Sequence, residues 1–258
     1  MTNVIAYKAE QAVREAGKLF LKNDSESRKI VEKGFANYVT EVDYAVQEFL
    51  IEELTKVIPG SNIISEEADE NRYDLEKPTW ILDPVDGTTN FMYGHRHSAI
   101  SLALFTEGKP TMGIIYNPEA DEMFIAQSGK GATLNGKDIK VSSNELLSNG
   151  LIAFGTTPYE RAKADETFEA VKRVYKNCRD LRRAGSAALD IAYVACGRLD
   201  GYFELRIQPW DYAAGIIILQ EAGGTITDWE GNSLEKLKPS SVVATNGSIH
   251  SQISELIV

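Results

Sequence analysis

The residues able to do chemistry in this chain are carboxylates. An apolar run, Trp80-Ile81-Leu82, ends in Asp83-Pro84-Val85-Asp86, followed by Gly87-Thr88-Thr89-Asn90. Acids at the end of a strand point into whatever cleft lies there. Pro84 fixes its own φ and stiffens the turn, while Gly87 leaves room for a close ligand. Glu66 and Glu67 follow Ile63-Ile64, and Asp211 follows Pro209-Trp210 at the head of an apolar segment. If these three element ends converge, each pair of acids about 4 Å apart repels by about 4 kcal/mol at an effective dielectric of about 20. Such a cluster requires cations. Oxygen donors without histidine or cysteine select magnesium, manganese or calcium over zinc. Two such ions can bridge a phosphate, lower the pKa of an attacking water and stabilise a leaving alkoxide, which suits reactions needing accelerations of up to about 10²¹-fold. Thr88 and Thr89 add hydroxyls and amides for phosphate if a helix begins there.

Each piece also has a plainer meaning. Asp83-Pro84 and Asp86-Gly87 are turn dipeptides, Asp211 suits the first turn of a helix, and Glu66-Glu67 alone reads as a solvated pair. Only their joint occurrence points to a site. His95 and His97, just beyond the run, alternate like strand or loop residues and are assigned no catalytic role. Arg182 and Arg183 are read as orienting the loop before Gly185 or an interface.

The elements that must position these acids are legible in the apolar spacing. Val4, Ile5, Ala9, Ala12, Val13, Ala16, Leu19 and Phe20 recur at helical steps. Beyond polar residues 23–33, a second helix is predicted over 43–57, stopped by Pro59-Gly60. Short apolar runs at 62–64, 79–82, 99–105, 113–116 and 123–126 predict strands, joined by turn signals such as Asn135-Gly136 into a largely antiparallel, meandering sheet. The second part predicts a strand at 151–154, helices at 160–175, 187–195 and 212–222, and strands at 202–203 and near Thr225 and Val242. An α+β half, residues 1–143, is therefore expected beside an α/β half, 144–258, with the seam at Ser142 to Asn144.

The 258 residues allow one large domain or two packed subdomains, with 43% hydrophobic residues enough for a sizeable core. A charge of -11 repels polyanions, so nucleic acid is not expected as a direct ligand and a bound phosphate needs local positive charge. Cys178 and Cys196 form neither a disulfide framework nor a thiolate site, which fits a reduced cytoplasm. Glutamates and lysines interrupt the apolar residues at the start of the sequence, so neither a signal peptide nor a membrane span is expected.

Residues 80–91 resemble the DPxDGTxN signature of the inositol monophosphatase family, and Trp210-Asp211-Tyr212-Ala213-Ala214-Gly215 resembles its second signature, WDxAAG. The likeness extends through Val39-Thr40-Glu41-Val42-Asp43, Ile64-Ser65-Glu66-Glu67 and Ala184-Gly185-Ser186-Ala187-Ala188. It implies a layered αβαβα sandwich, usually a homodimer, with magnesium-dependent and lithium-sensitive hydrolysis of phosphate monoesters. By resemblance, Glu66, Asp83 and the Val85 carbonyl bind one Mg2+; Asp83, Asp86 and Asp211 bind a second. A third, weaker ion leans on Glu66. Thr88 paired with Asp43, together with Glu66, orients the attacking water, and a carboxylate so placed can accept its proton. The amides of Gly87 and Thr88 contact phosphate. The loop Gly185-Ser186-Ala187, Glu204 and Asp211 face substrate hydroxyls. Asn37 stands where many members carry an acid, and the loop around Lys33 is too variable to assign; both bear on the third ion.

The substrate implied is a small polyol or sugar phosphate, inositol monophosphate first. Fructose 1,6-bisphosphate, histidinol phosphate and nucleotide 3'-phosphates are substrates of related families. Glu204 with the small Ser186 and Ala187 suits a hydroxyl-rich leaving group better than an adenine, which wants an aromatic platform. A reading from another class is a regulatory binding protein with secondary phosphatase activity.

Overall fold

The computed structural model describes residues 2–21, 30–34, 37–68 and 76–257. In chain order the elements are α1 (Thr2–Leu21), β1 (Ile30–Gly34), β2 (Asn37–Thr40), α2 (Glu41–Val57), β3 (Asn62–Ser65), β4 (Thr79–Asp86), α3 (Thr88–Met92), β5 (Ala99–Thr106), β6 (Lys109–Asn117), β7 (Glu122–Gln127), β8 (Ala132–Leu134), β9 (Lys137–Ile139), β10 (Leu151–Phe154), α4 (Ala164–Tyr175), β11 (Asp180–Arg182), α5 (Ala187–Ala195), β12 (Gly201–Ile207), α6 (Pro209–Glu221), β13 (Thr225–Thr227), β14 (Ser240–Thr245) and α7 (His250–Ile257). Residues 23–29 of the predicted polar stretch, and the side chains of Lys33 and Asn37, lie outside the described residues.

The β1–β2 hairpin precedes α2, and two sheets carry the rest. One has seven strands in the order β3-β4-β5-β6-β7-β8-β9; the other has five, β11-β10-β12-β14-β13. The larger sheet is the expected, largely antiparallel meander from β4 to β9, with β3 added in parallel beside β4. In the smaller sheet β10 pairs in parallel with β11 and β12, and β14 antiparallel with β12 and β13.

Strand periodicity explains how the layers stack. Along β5, Ile100, Leu102 and Leu104 face a core shared with α1 and α2, whereas Ala99, Ala103 and Phe105 face a core shared with α5 and α6. On β12, Tyr202 turns towards α5 and α6, and Phe203 towards α4 and α7. Alternation with both faces buried sandwiches each sheet between helices. The result is α1–α2, the seven-stranded sheet, α5–α6, the five-stranded sheet, then α4–α7: the expected αβαβα sandwich. Among the described residues no helix is long and apolar enough to cross a membrane.

α6 is apolar on nearly every side because both sheets press on it. Ile216, Ile217, Ile218 and Leu219 are all buried, each contributing about 1.5–3 kcal/mol relative to exposure. Its start is set by Pro209 in the first turn and by Asp211, whose Oδ2 accepts the Gln208 amide at 2.7 Å. α2 starts the same way, with Thr40 capping and Asp43 accepting the Thr40 amide at 2.8 Å. Both helices begin two residues or more ahead of the predicted starts, because their capping acids sit inside the first turn. An edge contact between Phe20 and Phe91, with ring centroids 4.7 Å apart, ties α1 to α3.

β6 approaches α6 most closely at Gly113, where a Cβ would lie 2.6 Å from the Ala214 carbonyl oxygen and 2.7 Å from Ile217 Cγ2. Backbone cannot rotate away, so Gly113→Ala is expected to cost about 1–3 kcal/mol, checked by chemical denaturation against the unmodified protein. An unchanged midpoint would mean that α6 is free to move.

Candidate active site

β4 does not stop at Leu82 as the sequence suggested. It continues through Asp83 and Asp86 to the end of the acidic run, with its register against β5 slipping between those two residues. The slip has a sequence cause: Pro84 has no N–H for the ladder, and the Val85 amide turns back to Asp83 Oδ1 at 2.9 Å. Two acids that strict alternation would separate are thereby aimed together. Carboxylate oxygens of Asp83, Asp86 and Asp211 all lie within 4.8 Å of one another. Glu66, whose amide bonds the Leu82 carbonyl at 3.2 Å, joins them through a hydrogen bond to Asp83.

Each acid is held from behind. Asp86 accepts the Ser186 hydroxyl and, at 2.8 Å, the Ala188 amide, so the N-terminus of α5 fixes it. Ser101 on β5 donates to the Trp210 carbonyl at 3.1 Å and anchors the turn that carries Asp211. Burial, and then mutual repulsion, makes these groups harder to ionise. Glu66 is pushed up to about 8 by burial and by Glu67 and Asp43. Asp86 rises to about 6, chiefly by burial, and Asp83 and Asp211 rise well above the usual range through burial and neighbouring carboxylates. Protons are what hold such a cluster together when cations are missing, and the oxygen-only donor set fits a hard divalent ion in their place.

Thr88 opens α3 directly after Gly87, whose φ of 88° no side chain would favour. Its hydroxyl donates to the Val85 carbonyl at 3.0 Å and stands 3.4 Å from Asp43 Oδ1, so the pair expected from the resemblance is brought together. Val85 keeps one carbonyl lone pair for another partner. Asp43 is buried, and burial lifts it to about 6 against the opposing bonds from Thr40.

Across the cleft stands Glu204, accepting the Thr157 amide at 2.7 Å and the Tyr202 hydroxyl at 2.5 Å. Burial raises it to about 7. Gly155 makes room for it, since a Cβ there would overlap the Glu204 carboxylate. Glu66, Asp83, Asp86, Gly87, Thr88, Gly185, Ser186, Ala187, Glu204 and Asp211 all line one cleft of about 370 Å³. Ser186 does more than line it, because its hydroxyl is spent on Asp86. Arg182 and Arg183 divide between two faces. Arg182 pairs with Asp180 at 2.5 Å, whereas Arg183 lines the cleft and donates to Thr156 at 3.0 Å, supplying positive charge among acids. Adjacent residues leaving a strand point opposite ways, a signal that could have singled out Arg183. Exposed Tyr93 and Tyr159 also line the cleft and carried no periodic signal.

A model of the inositol monophosphatase family matches residues 2–258. The chain belongs to the inositol monophosphatase family. Inositol monophosphatase 2 of Solanum lycopersicum is 40% identical over 247 residues, covering 93% of each chain. Nus factor SuhB of Escherichia coli K12 is 38% identical over 225 residues, 86% of this chain and 84% of that one. The structure of inositol monophosphatase from Anabaena superposes with a TM-score of 0.86 at 34% identity, over 99% and 96% of the two chains. Membership in the inositol monophosphatase family supports metal-dependent phosphatase chemistry in this cleft.

Because the folded pKa of Glu66 exceeds its unfolded value, metal-free protein is fully favoured by this group below about pH 4.5 and loses that contribution as pH rises through about 8. Thermal melts in chelator are therefore expected to fall from pH 6 to pH 8, and Mg2+ is expected to raise the melting temperature more at pH 8 than at pH 6. Equal metal shifts at both pH values would count against proton displacement.

Proposed function

We propose that this protein is a magnesium-dependent phosphatase of small polyol monophosphates, with inositol monophosphate as its substrate. The observation that carries the reading is the convergence of Asp83, Asp86 and Asp211 within 4.8 Å, with Glu66 bonded to Asp83, in a chain matched by the family along its length. Glu66, Asp83 and the Val85 carbonyl would hold one cation, and Asp83, Asp86 and Asp211 a second. Bound there, Mg2+ would offset the negative charge of the phosphate and acidify an attacking water.

The chain's own groups do the remainder. Thr88 Oγ1, between Val85 O and Asp43 Oδ1, is placed to accept the water's proton while its own O–H proton, turned from Val85 O to Asp43 Oδ1, is given to Asp43, which at about 6 is ionised at neutral pH. Glu66 orients the same water. The amides of Gly87 and Thr88 hold the phosphate, and Arg183 supplies the positive charge that a chain of net charge -11 must provide locally. Glu204, with two acceptor bonds already made, presents its remaining lone pairs to leaving-group hydroxyls beside Gly185 and Ala187. Family membership also supports a homodimer, lithium sensitivity and a cytoplasmic setting, with residues 1–143 supplying most of the metal ligands and 144–258 the substrate wall.

A second reading, regulatory binding with phosphatase activity secondary, draws on the likeness to Nus factor SuhB. A panel of sugar, polyol and nucleotide monophosphates, assayed with Mg2+ and with added Li+, separates the two. The enzyme reading predicts Mg2+-dependent, Li+-inhibited phosphate release greatest with inositol phosphate, and no release from any member would leave the regulatory reading. Asp211→Asn is expected to lower turnover by more than about 100-fold, beyond the loss typical of outer-shell partners, with the fold intact by circular dichroism. Glu204→Ala is expected to reorder KM among substrates without changing the Mg2+ requirement; an unaltered ranking would remove Glu204 from the substrate wall.

A further inference from the structure

Two buried polar groups with no part in the scheme above face each other near Asp86, Asp190 at the wall of the same cleft and His97 against it. Asp190 lies in the first turn of α5, just after Ser186 and Ala188, which bond the Asp86 carboxylate. Its side chain is 3% exposed, and Oδ1 stands 3.6 Å from Nε2 of His97, itself 13% exposed. At that length the two make at most a long hydrogen bond to each other, and neither atom has another partner among the described residues. Leaving a buried carboxylate and a ring nitrogen unmatched is costly, so an orphan pair only just beyond bonding distance is a contact that a small shift closes.

The surroundings show what that contact spans. His97 belongs to the segment between α3 and β5, whereas Asp190 belongs to α5 in the second part of the chain. Asn90 crosses the same boundary, donating to the His97 carbonyl at 2.7 Å and to the Ala184 carbonyl at 2.9 Å. A Cβ on Gly87 would lie 3.1 Å from both the His97 and the Gly185 carbonyl oxygens, so the two segments close over the start of α3. The His97 ring packs edge-on against Tyr193 with centroids 5.5 Å apart. Tyr193 bonds Glu122 at 3.2 Å and lies under the Arg198 guanidinium. The charged groups around His97 are thus Asp190, Asp86 and Glu122, with Arg198 paired to Glu122 at 2.6 Å and Arg183 acting on Asp190.

We propose that His97 and Asp190 form a positioning pair: their contact holds the first turn of α5 so that Ser186 and Ala188 aim at Asp86, and thereby sets the affinity of the acid cluster for a divalent cation. Neither residue is a ligand; both act through the donors that fix one. The proposal rests on the metal reading above and not on the identity of the phosphate ester. Losing Asp190 frees α5 to rotate, and losing His97 leaves a buried carboxylate that α5 must move to solvate, so either loss misdirects the same donors.

The test is Mg2+ and Mn2+ binding by titration calorimetry, without substrate, on the unmodified protein, His97→Gln, Asp190→Asn and the double variant. Either single change is expected to raise the dissociation constant about tenfold, the size usual for outer-shell partners, with no further rise in the double variant. Phosphatase kcat/KM is expected to fall at limiting Mg2+ and to recover at saturating Mg2+, with substrate KM unchanged there. Wild-type affinity in both singles, independent losses that add in the double, or a raised substrate KM at saturating metal would each overturn the proposal. Should the variants fail to fold, nitrogen-detected NMR of the unmodified protein decides: a slowly exchanging proton on His97 Nε2 that shifts on Mg2+ addition supports the pair, and an unprotonated Nε2 indifferent to Mg2+ rejects it. Metal binding without phosphate release would remove the substrate reading alone; no metal binding at all would remove both.

Discussion

Repulsion among buried carboxylates sets the terms for everything else in this fold. At 4.8 Å and an effective dielectric of about 20, each pair of ionised acids in the Asp83, Asp86 and Asp211 cluster opposes folding by about 3–4 kcal/mol. That is a large share of the roughly 5–15 kcal/mol by which a domain is stable. The protein must therefore hold these groups with rigid donors, keep protons on some of them, and be otherwise stable enough to bear the strain. Asp86 has Ser186 and Ala188, Asp211 has the Gln208 amide, and Asp83 has the Val85 amide. Every one of those donors is a backbone amide or a capping hydroxyl, groups that cannot drift from the element that carries them.

The layered architecture is the means of bearing that load. α5 and α6 lie between two sheets, so the helices that present Asp211 and grip Asp86 are compressed from both sides by apolar contacts. Gly113 and Gly215 remove side chains where β6 meets α6 and where α6 meets α5, and the close approach they permit keeps the acids in register with the strand ends. α1 and α2 cover the far face, and the Phe20–Phe91 contact carries their packing to the short helix that begins with Thr88.

Much of this was legible in the sequence because apolar spacing reports burial directly. The helices at α1, α2, α5 and α6 and the strands β4 to β7 announce themselves by period, and the acidic signatures by type and spacing. What escaped has physical reasons. β8, β9 and β11 are three residues each, too short to show alternation, and α7 is only eight residues long. The continuation of β4 through Asp83 and Asp86 was hidden because proline and aspartate there read as a turn, whereas the neighbouring strand β5 enforces extension. At the site, type and spacing identified the acids, but the purpose of Ser186 depended on which chain segment would stand opposite it. A contact such as His97 with Asp190 likewise leaves no local pattern, since it links segments whose proximity only the assembled layers create.

The bond from Ala188 to Asp86 joins residues 102 positions apart. During synthesis at about 5–20 residues per second, the acids of β4 emerge roughly 5–20 s before the amide that steadies one of them, and Asp211 follows later still. For that interval the nascent chain exposes a strand edge and an incomplete acid cluster, with the whole middle helical layer, α5 and α6, still unmade. The first sheet thus has to wait with one apolar face bare until α5 and α6 arrive to cover it.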